Sequence, residues 1–241
     1  MEASVTGIAA RARFAGRDYA KLQQSRGYDL LMRLPMVVWA TLIAMAAVTE
    51  LVRYAGQTDP MPPQAIYAIN IAMRLSTIAF LLLLAASVVL RAPPTGKARG
   101  IEPRVSALLG TCLIYALVLF PRRELSPLAG MASTILILFG NVLAVFVLAR
   151  LGRSFSVMAE ARRLVTSGIY RLVRHPLYLA EEIAVIGVVM QFLSYWTVLL
   201  VAVQIAFQLR RMHNEEAVLT ESFPEYAAYR QRTARLLPGI Y

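Results

Sequence analysis

Apolar residues in this chain come in long runs, and its polar residues crowd the gaps between them. The runs lie near 34–52, 66–90, 105–120, 128–149, 177–192 and 196–209. At 1.5 Å per helical residue, segments of this order are matched to a hydrocarbon core about 30 Å thick. The pattern predicts an all-α fold, a polytopic membrane bundle of about six transmembrane helices. The last two runs are short, and only Leu193, Ser194 and Tyr195 separate them. They are expected to form a tight C-terminal helical hairpin, with Tyr195 and Trp196 in the aromatic belt at its far tip.

Prolines punctuate the connections. Pro60, Pro62 and Pro63 end any helix in the first external loop, and Pro93-Pro94-Thr95-Gly96 breaks the second loop. Residues 1–33 are polar and basic, without the short apolar region and small-residue cleavage site of a signal peptide. Arg11, Arg13, Arg17 and Lys21 alternate there with Ile8, Phe14 and Leu22, which fits an interfacial amphipathic helix or a loosely ordered tail.

Composition sharpens this picture. Hydrophobic residues make up 58% of the chain and charged residues 16%, against roughly 25% charged in soluble domains, so a single water-soluble core is excluded. Of the 25 basic residues, 21 fall in the N-terminal tail, the second and fourth loops and the C-terminal tail; Arg53, Arg122 and Arg123 lie on the other side, and Arg74 within a span. Positive charge stays in the cytoplasm, which predicts an integral, multi-pass protein with both termini cytoplasmic. The net charge of +11 follows from this asymmetry and draws the basic face to anionic lipid head groups, at about 1 kcal/mol per residue near the surface. No basic-aromatic repeats or glycine-rich phosphate loop point to nucleic acid. The single cysteine, Cys112, sits in an apolar run and reads as a core thiol.

Candidate chemistry concentrates late in the chain. Residues 168–178 read Gly-Ile-Tyr-Arg-Leu-Val-Arg-His-Pro-Leu-Tyr, and Glu215-Glu216 follow near the end of the sixth run. Gly168 permits a backbone turn that a side chain would obstruct. Pro176 fixes the first turn of the next helix. Antiparallel fifth and sixth helices would return the glutamates to the side of His175, with Tyr178 on the same helix face. Taken singly, His175 reads as a helix cap and Glu215-Glu216 as a solvated helix end paired with Arg210 and Arg211. Glu181 and Glu182 open the fifth run. They are expected either at the interface, paired with Arg171 or Arg174, or facing an active-site tunnel. Glu50 and Arg74 are expected to form an interhelical ion pair. His175 and His213, with no cysteine cluster, make a weak zinc site, and no metal is called for.

Leu164, Val165, Gly168 and Tyr170, then Arg174-His175-Pro176 and Tyr178, then Glu215, Glu216 and Leu219, and finally Phe223, Tyr226, Tyr229 and Pro238 follow one order and spacing. Over about the last 90 residues this pattern resembles the isoprenylcysteine carboxyl methyltransferase and phospholipid methyltransferase superfamily. The resemblance implies an integral membrane enzyme that transfers a methyl group from S-adenosylmethionine to a lipophilic acceptor entering from the bilayer. It places Leu164, Val165, Tyr170, His175, Tyr178, Glu215 and Glu216 around a cytoplasmic cofactor pocket. Arg211 becomes the candidate to hold an acceptor carboxylate, with Arg174 second. Glu181 or Glu182 would take a proton from an acceptor amine. The chain then divides into a tail or interfacial helix (1–33), accessory helices (34–125) and a methyltransferase-like core with a cytoplasmic C-terminal segment (126–241). Ala180, Pro224 and Arg162 depart from the family's usual glycine, glycine and histidine, which leaves the acceptor open, as carboxylate or amine. An NADPH-dependent oxidoreductase like the membrane sterol reductases, with Arg162-Arg163 holding phosphates, is the first alternative. A non-enzymatic scaffold or transporter subunit is the second.

Overall fold

Backbone groups in hydrocarbon have no water to bond and must satisfy one another within the segment, so helix dominates. The computed structural model describes residues 26–56 and 62–239. The expected tail or interfacial helix up to residue 25 and the turn at Pro60 lie outside the described residues. Helices α1 (Arg26–Ala55), α2 (Gln64–Leu90), α3 (Glu102–Cys112), α4 (Pro127–Leu151), α5 (Pro176–Met190), α6 (Tyr195–Ser222) and α7 (Tyr226–Arg232) follow in order. After Cys112 the backbone tightens into 3₁₀ geometry over Leu113–Leu119. Four stretches, Arg33–Ala55, Gln64–Leu90, Glu102–Leu119 and Pro127–Ser154, are long and apolar enough to cross a membrane. The fifth expected segment is a helix of 15 residues, about 22 Å, and α6 turns polar beyond residue 209.

Helix α1 starts well before residue 34 and runs through Pro35, where the lost N–H costs one intrahelical bond. Its 30 residues span about 45 Å, so its ends project past the hydrocarbon. Arg33 uses that overhang to reach the end of α2, donating to the carbonyls of Val89 and, at 3.4 Å, Arg91.

Helices α4 and α5 pack tightly because small residues face each other. A Cβ on Gly140 would lie 2.5 Å from the Ala184 nitrogen, and one on Gly187 would lie 2.7 Å from the Ser133 carbonyl. The Ser133 hydroxyl donates to the Gly187 carbonyl at 2.7 Å. Helix α2 packs on α1 and α4, and α3 on α6. The expected tight hairpin is looser than its sequence implies: α5 and α6 touch little along their length, each held instead by another helix. The short linker between them is firm, since Ser194 and Thr197 form a capping box at the start of α6. Tyr195 and Trp196 are 96% and 70% exposed at that tip, as an aromatic belt requires. Leu42, Leu82, Phe139 and Leu199 expose half or more of their surface, an apolar girdle suited to lipid.

Two non-local pairings shape the face that carries the motif. The loop after α2 forms β1 (Gly96–Lys97), antiparallel to β2 (Glu160–Ala161) in the loop after α4, with Gly96 opposite Ala161. Further along, the Arg174 and His175 backbone N–H groups donate to the carbonyls of Ala234 and Arg235 at 2.9 and 3.1 Å. The segment after α7 thus latches onto the entrance to α5.

Candidate active site

The motif loop takes its shape from Gly168, whose φ of 65° lies in the left-handed region and favours glycine. A 3₁₀ turn over Gly168–Arg171 follows and carries Tyr170 inward, where its carbonyl accepts from the Tyr229 hydroxyl at 2.6 Å. Pro176 stands in the first turn of α5 and His175 caps that helix. The His175 and Tyr178 rings stack with centroids 5.4 Å apart. Leu164, Val165, Tyr170, Arg174, His175, Tyr178, Glu215, Tyr226 and Tyr229 all line one cleft here. The Tyr178 hydroxyl donates to Glu215 Oε1, joining α5 to α6 at the cleft wall.

Glu216 is absent from the cleft lining and stands behind it. His175 Nε2 lies 3.0 Å from its Oε1, Arg174 Nε 3.1 Å and Arg235 Nε 3.2 Å. Burial alone would raise this carboxyl's pKa. The His175 hydrogen bond and the charges of His175, Arg235 and Arg174 outweigh burial and bring it down to about 2. Arg174 also donates to the carbonyls of Arg230 and Thr233 at 2.7 and 2.6 Å, so its guanidinium is engaged on the cleft's outer side. Burial raises the Tyr229 hydroxyl to about 12, with Arg174 opposing and Glu216 reinforcing the shift. The phenol stays a neutral donor.

Arg211 occupies the wall between this cleft and a much larger cavity. Its Nε donates to Glu215 Oε1 at 3.2 Å, one Nη to the Thr111 hydroxyl at 2.8 Å, and its guanidinium carbon lies 4.6 Å from the Tyr178 ring centroid. The cavity, about 650 Å³, runs between α1, α2, α3, α4, α5 and α6, and Glu181, Glu182, Gln204 and Arg211 line one part of it. The interfacial pairing of Glu181 and Glu182 with Arg171 or Arg174 is not what forms. Glu181 accepts from Gln208 Nε2 at 3.3 Å and Glu182 from Gln204 Nε2 at 3.0 Å. Arg174 is held by Glu216 and Arg171 is exposed. The two carboxylates lie inside the bundle, beyond reach of either arginine.

The expected Glu50–Arg74 pair also fails to form. Glu50 pairs with Arg53, one turn away on its own helix, a contact that needs no interhelical alignment. Arg74 lies over the Tyr54 ring at 4.6 Å. Of the two arginines expected near the glutamates, Arg211 pairs with Glu215 while Arg210 reaches Glu102 at 2.8 Å.

Sequence reasoning passed over Thr111, Gln204, Gln208, Thr233 and Arg235. Gln204, Gln208 and Arg211 had a readable signal: spaced four and three residues apart, they put a polar stripe on one face of an apolar helix. The α5 and α6 glutamates bind to that stripe.

Residues 133–221 match the isoprenylcysteine carboxyl methyltransferase (ICMT) family. The ICMT match begins within α4, carries the whole motif loop with Glu215 and Glu216, and closes at the end of α6. The resemblance read from the motif thus holds over these residues. The cobalt-zinc-cadmium resistance protein CzcN of Cupriavidus metallidurans is 33% identical over 99 residues, covering 39% of this chain and 45% of that protein. The chain therefore matches less than half the length of this curated relative.

Proposed function

We propose that this chain is an integral membrane methyltransferase that moves the methyl group of S-adenosylmethionine to a lipophilic acceptor. The observation that carries the reading is the shared wall. Glu215, Tyr178 and Arg211 join a polar cleft at the motif-bearing face to a large, mostly apolar cavity inside the bundle. A water-soluble donor and a lipid-soluble acceptor need two such compartments that meet at one point.

The cleft's chemistry fits the donor. Leu164, Val165 and Leu219 offer apolar surface for a base, and Glu215 offers an acceptor for an amino group or ribose hydroxyls. The Tyr226 hydroxyl is buried at the cleft with no hydrogen-bond partner, a donor held ready for a ligand. Burial raises its pKa, reinforced by Glu216 and opposed by Arg174, which keeps that proton in place. Leu164, Val165, Tyr170, His175, Tyr178 and Glu215 would hold the cofactor, with Glu216 fixing His175 from behind. When bound, S-adenosylmethionine supplies a methyl group already activated by its sulfonium. The protein's part is to align the acceptor with that methyl and keep water out. The motif-bearing face, rich in arginine, is assigned to the cytoplasm, where anionic head groups attract it.

One feature disfavours the NADPH reading. Arg162, one of two arginines expected to hold nicotinamide-cofactor phosphates, is buried and paired with Glu160, which also gathers Ser156, Arg91 and Lys97. Binding of S-adenosylmethionine and of NADPH to the purified protein tests the assignment. S-adenosylmethionine should bind saturably, and His175→Ala and Glu215→Gln should each weaken it at least about tenfold, about 1.4 kcal/mol. Saturable binding of NADPH without S-adenosylmethionine binding refutes the proposal.

A further inference from the structure

The family's name points to carboxylate acceptors, but the end of the large cavity that meets the shared wall has the wrong charge and the wrong hydrogen-bond groups to receive one. Two carboxylates, Glu181 and Glu182, line it, and among the described residues neither has a cation within ion-pairing distance. The nearby cation of the wall, Arg211, is already matched by Glu215 and Thr111. Gln204 is 2% exposed and lines the same cavity. Its Nε2 donates both to Glu182 and to the Gly110 carbonyl, at 3.0 and 3.1 Å. Those two acceptors fix the amide's orientation and leave Oε1 without a partner. Gln208, which lies outside the cavity lining, also turns its Nε2 toward Glu181, and its Oε1 is buried against Gly110.

At this end of the cavity two carboxylates and the Gln204 oxygen thus outnumber the cations, while Arg74, Arg122 and Arg123 line other parts of it, near Tyr54, Phe192 and Leu193. Buried carboxylates need either a proton or a cation to offset their desolvation. An incoming carboxylate would add a third negative charge and no donor. An ammonium group brings three N–H donors and the missing positive charge.

We propose that the methyl acceptor is a lipophilic amine, received as its ammonium by Glu181 and Glu182. This rests on the methyltransferase reading and names its substrate class. Gln208, the partner of Glu181, sits one turn from Arg211, and Tyr178 precedes Glu181 by three residues on the same helix face. Glu181 thus lies nearer the shared wall and takes the ammonium proton. The freed nitrogen lone pair forms the new C–N bond with the sulfonium methyl. The S–C bond breaks with its electron pair left on sulfur, and the positive charge passes from sulfur to nitrogen. Glu182, tied to Gln204, holds the charge of the methylated product.

The test uses full-length protein in lipid nanodiscs with methyl-labelled S-adenosylmethionine and three acceptors: dodecylamine, dioleoylphosphatidylethanolamine and N-acetyl-S-farnesylcysteine. The expected result is label on an amine, stable to base. Labelling of phosphatidylethanolamine identifies a lipid head group as the source, and labelling of dodecylamine alone a free amine. Glu181→Gln should lower amine turnover at least tenfold while S-adenosylmethionine affinity stays within twofold of wild type, which also shows that the variant is folded. Base-labile label on N-acetyl-S-farnesylcysteine, released as methanol, overturns the proposal. If no acceptor is labelled, equilibrium binding of dodecylamine decides. Binding that falls tenfold in the Glu181→Gln/Glu182→Gln double variant supports the amine site, and the failure then belongs to the methyltransferase reading. Absent binding, or binding unchanged in that variant, overturns the amine site.

Discussion

Replacing Glu216 by glutamine keeps its shape and removes its charge from beneath Arg174, His175 and Arg235. The native carboxyl sits at about 2 against an ordinary value of 4.5. That difference corresponds to stabilisation on the order of 3 kcal/mol when the group is ionised. Its folded pKa is depressed, so the contribution is fully present above about 4.5 and is lost as pH falls through about 2. Glutamine has no such window. Thermal unfolding in detergent micelles, followed by circular dichroism, should show Glu216→Gln about 3 kcal/mol less stable at pH 7. The gap between the two proteins should close between pH 4.5 and 2, because every other titrating group is common to both. A gap under about 1 kcal/mol at pH 7, or one that persists unchanged to pH 2, refutes the reasoning.

Cysteines introduced at Thr95 and Ser167 should be shielded from an impermeant thiol reagent in intact cells, while one at Glu124 should react; external labelling of both former sites overturns the orientation. Gly140→Val should destabilise the protein by about 1–3 kcal/mol in the same melts, because its side chain would meet the α5 backbone at Ala180 and Ala184; a wild-type melting temperature would disprove the close α4–α5 contact. Arg211→Lys should cut turnover at least tenfold while leaving the protein folded, since a point charge cannot bond Glu215 and Thr111 and also cover the Tyr178 ring; turnover equal to wild type would remove Arg211 from the shared wall.

The meeting of His175 and Tyr178 with Glu215 and Glu216 was legible because two antiparallel helices joined by a short linker return the chain to its starting level. Gly168 and Pro176 were legible because each residue has few conformations it serves better than others. The looseness of the hairpin was not, since its arms take their packing from α3 and α4, and nothing local announces such partners. For Glu181 and Glu182 the sequence left two places open, the interface beside Arg171 or Arg174 and a tunnel; in the folded chain they face the cavity, where the glutamines of α6 are in reach and those arginines are not. Strands of two residues carry no periodicity at all, so the pairing of Gly96–Lys97 with Glu160–Ala161 had no signature to read. Pro35 lies inside α1, and a helix anchored near it by Arg33 tolerates the lost bond.

The latch between Arg174-His175 and Ala234-Arg235 has a consequence for biosynthesis. Each of its backbone hydrogen bonds joins residues 60 apart in sequence, a distance that takes roughly 3–12 s to synthesise. During that interval the entrance to α5 is already made while its backbone partners, and the Arg235 charge on Glu216, do not yet exist. A chain halted at Arg232 would carry every membrane-length helix of the bundle and still lack this closure. The membrane-length helices, the last of which ends at Ser154, are therefore made well before the residues that close the cleft's edge, and the latch is among the last contacts the chain can form.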